Sequence, residues 1–201
     1  KITELLPDGY EKAFTLLLNC MGPGLMTTQQ TCALCERCIA IFRNLGDTWG
    51  MAVAELVHAD IAGFAAGDHL MARARYEASL EAFTALANDW GRALCLTGLA
   101  YLERQAGNLE KAYKMECESL RTYLRIGDMW RAVGMRHDLG VIAETLGAFD
   151  EARRYYKANM DHFARMGDEH SRDHYRARLQ ALQDQPHAGG PGLGSQQKAP
   201  A

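Results

Sequence analysis

The sequence lacks several features that would assign a protein to a broad functional class. No apolar run approaches the roughly 20 residues that a membrane-spanning helix needs, and the first residues lack the basic, apolar and small-residue order of a signal peptide. The formal net charge is −3, which gives no electrostatic reason to expect nucleic acid or an anionic membrane as a partner. With 48% hydrophobic and 23% charged residues, the composition is that of an ordinary globular domain.

Enzyme motifs are missing as well. The sequence contains no GxSxG, no GxxxxGK[ST] and no GxGxxG after a strand-like run. The glycine-rich stretch MGPGLM (21–26) lacks the Lys and Ser/Thr of a phosphate-binding loop. We therefore expect no catalytic activity and no cofactor.

Six cysteines lie inside apolar helical patterns, which favours reduced thiols and a cytoplasmic location over a secreted disulfide framework. Three of them, Cys32, Cys35 and Cys38, form a CxxCxxC motif. A metal or cluster site would need an irregular loop and a fourth ligand, whereas a continuous helix spreads the three sulfurs over its surface. Free cysteine commonly packs as a small hydrophobe, so we interpret these residues as packing. A redox or metal switch at the motif is the alternative.

The chain repeats itself with a period of about 40 residues. AGNLEKAYKMECESLRTYLRIGDMW (106–130) aligns with LGAFDEARRYYKANMDHFARMGDEH (146–170), and another copy lies at 66–90. Upstream the displacement is 41, so one residue is inserted between Trp49 and Gly67. Each unit holds two apolar patterns at helical spacing and no strand-like alternation. These patterns predict helix pairs at about 9–44, 48–86, 89–126 and 129–166, with a last helix near 169–184.

Regular breaks predict where these helices begin and end. A glycine suited to the left-handed residue that closes a helix is followed by an aspartate that can cap the next one, at 46–47, 127–128 and 167–168. Glycines at 67, 107 and 147 mark the turn within each pair.

The repeats predict an all-α fold, because a helix pair of this size buries its apolar face only against neighbouring pairs, as in an α-solenoid. We divide the chain into a degenerate first pair (1–44), three repeats with a capping helix (45–184) and a disordered tail or linker (185–201). The tail is rich in Gly, Pro, Ala and Gln and has no apolar periodicity. A start at Lys1 instead of Met leads us to expect a piece of a longer protein.

The repeat resembles the tetratricopeptide repeat. The stretch LGVIAETLGAFDEARRYY (139–156) carries that family's Leu-Gly pair, turn glycine, small residue and aromatic residue. LAYLERQAGNLEKA (99–112) carries a second set. The chain departs from the family pattern at Glu116, which replaces a large aromatic residue, and at Asn159, which replaces a small one. The period of about 40 instead of 34 resembles the helical sensor regions of LuxR-type and STAND-class bacterial regulators.

The resemblance implies a right-handed superhelix of antiparallel helix pairs that binds without catalysis. The first helix of each pair would line a concave groove for a protein segment, a small effector or another domain of a parent regulatory protein. The groove positions that it implies are Val57, Ile61, Phe64, Thr97, Tyr101, Arg104, His137, Val141 and Glu144. The competing interpretation is a self-association module that forms a homodimer through exposed apolar surfaces.

Two further sets of residues have a structural and a functional interpretation. Trp49, Trp90 and Trp130 recur at one repeat position, which is typical of packing between repeats, with ligand stacking as the alternative. His170 and His174 have the i, i+4 spacing of a zinc pair, but no HExxH motif accompanies them. We expect these histidines to pack or to face solvent.

Overall fold

The computed structural model of the chain describes residues 9–22, 26–183 and 185. These residues form helices and no strand, which confirms the all-α prediction for the described part of the chain. The predicted tail at 185–201 lies outside the described residues apart from Gln185. The helices are α1 (Tyr10–Met21), α2 (Thr28–Asn44), α3 (Thr48–Asp60), a π-helical turn (Ile61–Ala65), α4 (His69–Ala85), α5 (Asp89–Gln105), α6 (Leu109–Ile126), α7 (Met129–Thr145), α8 (Phe149–Met166) and α9 (Glu169–Ala181).

The predicted helix ends are confirmed. The carboxylates of Asp47, Asp128 and Asp168 accept from backbone N–H groups three residues on, at 2.9, 3.1 and 3.0 Å. The six predicted glycines all adopt left-handed backbone angles, with φ between +68° and +80°. Ala87 stands 41 residues after Gly46 and takes the same conformation at φ +50°, so that turn forms there without glycine.

The π-helical turn explains the inserted residue that the repeat alignment places between Trp49 and Gly67. Ala66 N donates to Ile61 O at 3.0 Å, an i to i+5 bond that encloses one residue more than an α-helical bond. The extra residue of the 41-residue spacing is therefore absorbed inside the helix, and Gly67 keeps its turn conformation.

The chain divides into two compact units, Lys1–Leu102 and Glu103–Ala201, so the boundary falls inside α5. In the first unit each helix packs on the next, α1 on α2, α2 on α3 and α3 on α4. Ring-to-glycine contacts bring the first part of α5 against α4: Phe83 lies against Gly91 and Tyr76 against Gly98.

The second unit is built in the same way, with α6 packed on α7, α7 on α8 and α8 on α9. Connections of two or three residues separate these helices, and connections this short join antiparallel neighbours. Tyr156 and Leu139 are fully buried in this unit. None of the described helices combines the length and the apolar character that crossing a membrane requires.

Candidate functional site

An open cleft of about 450 Å³ lies between α7, α8 and α9 in the second unit. Its lining from α7 is an i, i+3, i+4, i+7, i+8 series, so these residues share one face of the helix. Phe163 of α8 and two residues of α9 complete the walls. The lining residues are Trp130, Val133, Gly134, His137, Asp138, Phe163, His174 and Tyr175.

Stacked rings form the inner wall of the cleft. Tyr175 is 7% exposed, and its ring stacks on Phe163 with centroids 5.9 Å apart and planes 11° apart. The rings of His137 and Tyr156 lie 6.0 Å from Tyr175. Aromatic pairs in this distance range stabilise one another beyond the area that they bury. The inner wall is therefore a packed cluster, whose ring edges and faces border the open space.

His137 is the imidazole of this cluster, and its surroundings favour the neutral form. Burial lowers its pKa below the ordinary value, and Arg178 and His174 act in the same direction against the opposing Asp138. The Tyr175 hydroxyl lies 3.4 Å from His137 Nδ1, at the long end of hydrogen-bond distance. A neutral imidazole carries one N–H donor and one acceptor nitrogen, so His137 can offer either to a group in the cleft.

A charged group borders the other side of the cleft. Asp138 Oδ1 pairs with Arg104 Nη1 at 3.0 Å, and the same nitrogen lies 3.6 Å from Glu116 Oε1. Glu116 is 2% exposed, and burial raises its pKa to about 8, with Asp138 adding to the rise and Arg104 opposing it. Because burial and Asp138 outweigh the longer contact with Arg104, Glu116 is mostly protonated at pH 7. The ion-pair partner of Arg104 is therefore Asp138.

The structure places the predicted groove residues in different settings. Within the first unit Phe64 lies against Tyr101, with ring centroids 4.2 Å apart, and Phe64 is 57% exposed. Within the second unit His137 lines the cleft, while Arg104 pairs with Asp138 and Glu144 with Arg178 at 3.3 Å. The remaining predicted groove residues, Val57, Ile61, Thr97 and Val141, are half-buried.

Trp130 was expected to pack between repeats, and that expectation is wrong, because its side chain is 86% exposed. The other two repeat tryptophans, Trp49 and Trp90, are 42% and 40% exposed. An indole this exposed at the rim of a cleft can stack on a ligand. The repeat alignment could not distinguish Trp130 from the other two, since all three share one position.

The cysteines pack as the sequence predicts, but with a different third member. Cys35 and Cys38 are fully buried, whereas Cys32 is partly exposed. Cys20 of α1 lies beside Cys35 and Cys38. These neighbours lower the pKa of Cys20, whereas Cys20 and burial raise the pKa of Cys35 and of Cys38. The Cys20 thiol donates to Thr31 O at 3.8 Å and the Cys38 thiol to Ala13 O at 3.6 Å. The sequence spacing gave no sign of Cys20, because it joins the cluster from another helix.

No group of three His, Cys, Asp or Glu side chains in the described part of the chain is placed to hold a metal ion. Of the two histidines considered for zinc, His174 lines the cleft 6.2 Å from His137 between ring centroids. His170 is exposed to solvent on the same helix. The cleft itself is lined by aromatic and apolar groups, a carboxylate and imidazoles, with no Ser, Thr, Cys or Lys nucleophile among its eight lining residues.

Comparison with known proteins adds no relative to this description. The chain matches no protein-family model, and no curated protein is significantly similar to it. The resemblance to tetratricopeptide repeats therefore rests on the repeat residues themselves, and what it implies belongs to the proposal that follows.

Proposed function

We propose that the chain is a non-catalytic helical-repeat domain of the tetratricopeptide type, an α-solenoid that binds a protein segment or a small effector. It would serve as the interaction or sensor part of a larger bacterial regulatory protein in the cytoplasm. The α7–α9 cleft is the binding site in this proposal. Binding there would change how α7 and α9 pack, and a neighbouring domain would respond to that change.

The observation that carries the proposal is the cleft with its exposed indole. A volume of about 450 Å³ is within the range of small-ligand sites, roughly 300–1,000 Å³. The lining has the composition of such sites, in which apolar and aromatic walls surround a few polar groups. Trp130 at 86% exposure is a large apolar surface in contact with water, and tryptophan is enriched among residues that dominate binding.

The test uses Trp130 as a reporter. Replacing Trp49 and Trp90 by Phe leaves Trp130 as the only indole of the whole chain, and its emission is then followed during titration with a library of metabolites and peptides. We expect at least one compound to shift that emission with saturation. A chain that keeps only Trp90 is the matched control and is expected to respond to none of the same compounds.

A flat Trp130 signal across the library would contradict the proposed function, as would an equal response from the Trp90 control. Tight binding that survives Trp130→Ala and His137→Ala would move the site elsewhere on the chain. Native mass spectrometry of the purified chain gives an independent check, since a co-purified mass that disappears in Trp130→Ala identifies what the cleft binds.

Self-association is the second candidate function, and exposed apolar side chains favour it. Besides Trp130, Met166 is 69% exposed and Leu70 84% exposed. Light scattering coupled to size exclusion decides between the two, because a dimer that becomes a monomer in Trp130→Ala would assign the indole to an interface between copies.

A further inference from the structure

Four glycines inside the described α-helices share one purpose, which is to let an aromatic ring lie directly on the backbone. Phe42 lies against Gly50, Phe83 against Gly91, Tyr76 against Gly98 and Tyr156 against Gly140. In each case a ring atom lies 2.2–2.4 Å from the position that a Cβ atom would take. The ring thus occupies the volume of the missing side chain, and no other residue would fit there.

Gly134 is the exception among the glycines inside the described α-helices. An added Cβ at Gly134 would meet no described atom within 4 Å, and the residue is exposed on the wall of the α7–α9 cleft. Its backbone angles are ordinary for a helix, since it is not among the residues with positive φ. Neither packing nor backbone conformation therefore requires glycine at this position.

Glycine is unfavourable in the middle of a helix relative to alanine. Gly134 therefore lowers the stability of α7, and no packing contact or backbone requirement offsets that loss. The space that Gly134 leaves has the surroundings of a ring site. Trp130 and Asp138 lie one turn before and after it, and His137 lies on the same face of α7. Phe163 and Tyr175 line the cleft from α8 and α9. The volume of about 450 Å³ admits a molecule of two fused rings and is small for a folded partner.

We propose that the α7–α9 cleft binds a small aromatic molecule whose ring lies flat on the backbone at Gly134, in the way that the chain's own rings lie on its other helical glycines. The indole of Trp130 would stack against the bound ring from the open side. This inference rests on the proposed function, and it adds the chemical class of the effector and the residue that selects it.

The test compares two probes with the same carbon skeleton, the flat aromatic 2-naphthol and its puckered saturated analogue decahydro-2-naphthol. Both carry one hydroxyl, so a difference between them reports on the aromatic ring. We expect 2-naphthol to bind the whole chain about two- to tenfold more tightly, the range that aromatic pairing supplies, as measured by isothermal titration and saturation-transfer NMR. Equal affinities would overturn the assignment of an aromatic ligand.

The second arm replaces Gly134 by Ala, a change that fills only the space under the ring. We expect 2-naphthol affinity to fall at least tenfold, because the methyl group would stand where the ring has to lie. Thr145→Ala, an exposed change on the same helix away from the cleft, is the matched control and should leave affinity unchanged. Unchanged binding in Gly134→Ala would overturn the ring site, and a melting temperature that does not fall excludes a folding artefact.

The third arm tests the other source of an aromatic ring. A blocked tripeptide with a central Trp is compared with the same peptide carrying Leu. Binding of the Trp peptide without any binding of 2-naphthol would overturn the small-molecule assignment while leaving the proposed function in place. Loss of binding in Trp130→Ala but not in Gly134→Ala would likewise retain the cleft as the site and reject only the ring position.

Discussion

Helix α7 carries two glycines, Gly134 in its first half and Gly140 in its second, and only Gly140 is explained by packing. At Gly140 the ring of Tyr156 lies 2.3 Å from where a Cβ atom would stand, whereas at Gly134 that space is open among the described residues. A glycine inside a helix is less favourable than alanine by about 0.5–1 kcal/mol. At Gly140 the packed ring offsets this penalty, so the comparison identifies Gly134 as the glycine that needs a different reason.

A second comparison concerns one repeat position, which carries different residues in α6 and α8. Tyr156 and Glu116 are 40 residues apart and equivalent in the repeat. Tyr156 accepts a hydrogen bond from Arg178 at 2.8 Å and covers Gly140. Glu116 instead lies near Arg104, which pairs with Asp138 on the cleft wall. The α6 copy of this repeat position therefore carries a buried titrating carboxyl where the α8 copy carries a packed aromatic ring.

The largest expected effect comes from that carboxyl. Glu116 keeps its proton in the folded chain up to about pH 8, because burial raises its pKa, whereas a glutamate in an unfolded chain releases it near pH 4.3. Unfolding between these pH values therefore releases a proton, and the free energy of unfolding falls as the pH rises. Glu116→Gln removes this ionisation. The free energy of unfolding of the variant, relative to that of the parent chain, should therefore rise by on the order of 2–5 kcal/mol between pH 5 and pH 8.5.

Urea unfolding of both chains at several pH values measures this difference directly. Other groups such as His137 also titrate in this range, so the comparison uses the difference between the two chains and not the slope of either. A difference that stays constant with pH would show that Glu116 titrates normally. In that case the contact between Arg104 and Glu116 would have to outweigh the effects of burial and of Asp138 on the Glu116 carboxyl.

The next effect concerns Gly140, the glycine of α7 that the Tyr156 ring covers. Gly140→Ala places a methyl group inside the ring of Tyr156, and overpacking of this kind typically costs about 1–3 kcal/mol. We expect the variant to lose stability by that amount in urea or thermal unfolding. Gly91→Ala, where the Phe83 ring lies 2.4 Å from the added carbon, should lose a similar amount. If both variants keep the stability of the parent chain, the rings move aside and their packing does not require glycine at these two positions.

Much of the fold could be predicted because its determinants are local and repeated. The Asp caps, the left-handed glycines and the apolar spacing each act within a few residues, and the period carries them from one pair to the next. Even the π-helical turn was signalled, as a displacement of 41 instead of 40. The sequence could not show whether the extra residue would lengthen the connection between two helices or form a π-helical turn inside one, because either adds a single residue.

The candidate site was less accessible to sequence reasoning, since it depends on contacts between helices. His137 was predicted to face a ligand and lines the cleft, but the role of Gly134 was not predicted. The sequence alone does not distinguish a helical glycine that is covered by a ring from one that is not. Arg104 was proposed as a ligand anchor, while its pairing with Asp138 involves a residue 34 positions away, beyond the reach of helical spacing.

A smaller effect separates the ring of Tyr156 from its hydroxyl. Tyr156→Phe keeps the ring over Gly140 and removes only the atom that accepts from Arg178 at 2.8 Å. We expect a loss of about 0.5–1.5 kcal/mol, the usual net contribution of one hydrogen bond, in equilibrium unfolding. A loss of unfolding free energy as large as that of Gly140→Ala would show that the hydroxyl, and not the covering ring, stabilises the contact of Tyr156 with α7.

The smallest expected effect has the opposite sign and concerns Gly134, the uncovered glycine of α7. Gly134→Ala adds a methyl group that meets nothing and removes the conformational cost of glycine, so thermal unfolding should show a gain of about 0.5–1 kcal/mol. A loss of stability would mean that Gly134 is retained for the fold after all. A gain would mean that the chain carries a residue less stable than its simplest alternative at the wall of its cleft. Residues of that kind are retained where function needs the space, since stabilising changes at binding sites commonly reduce activity.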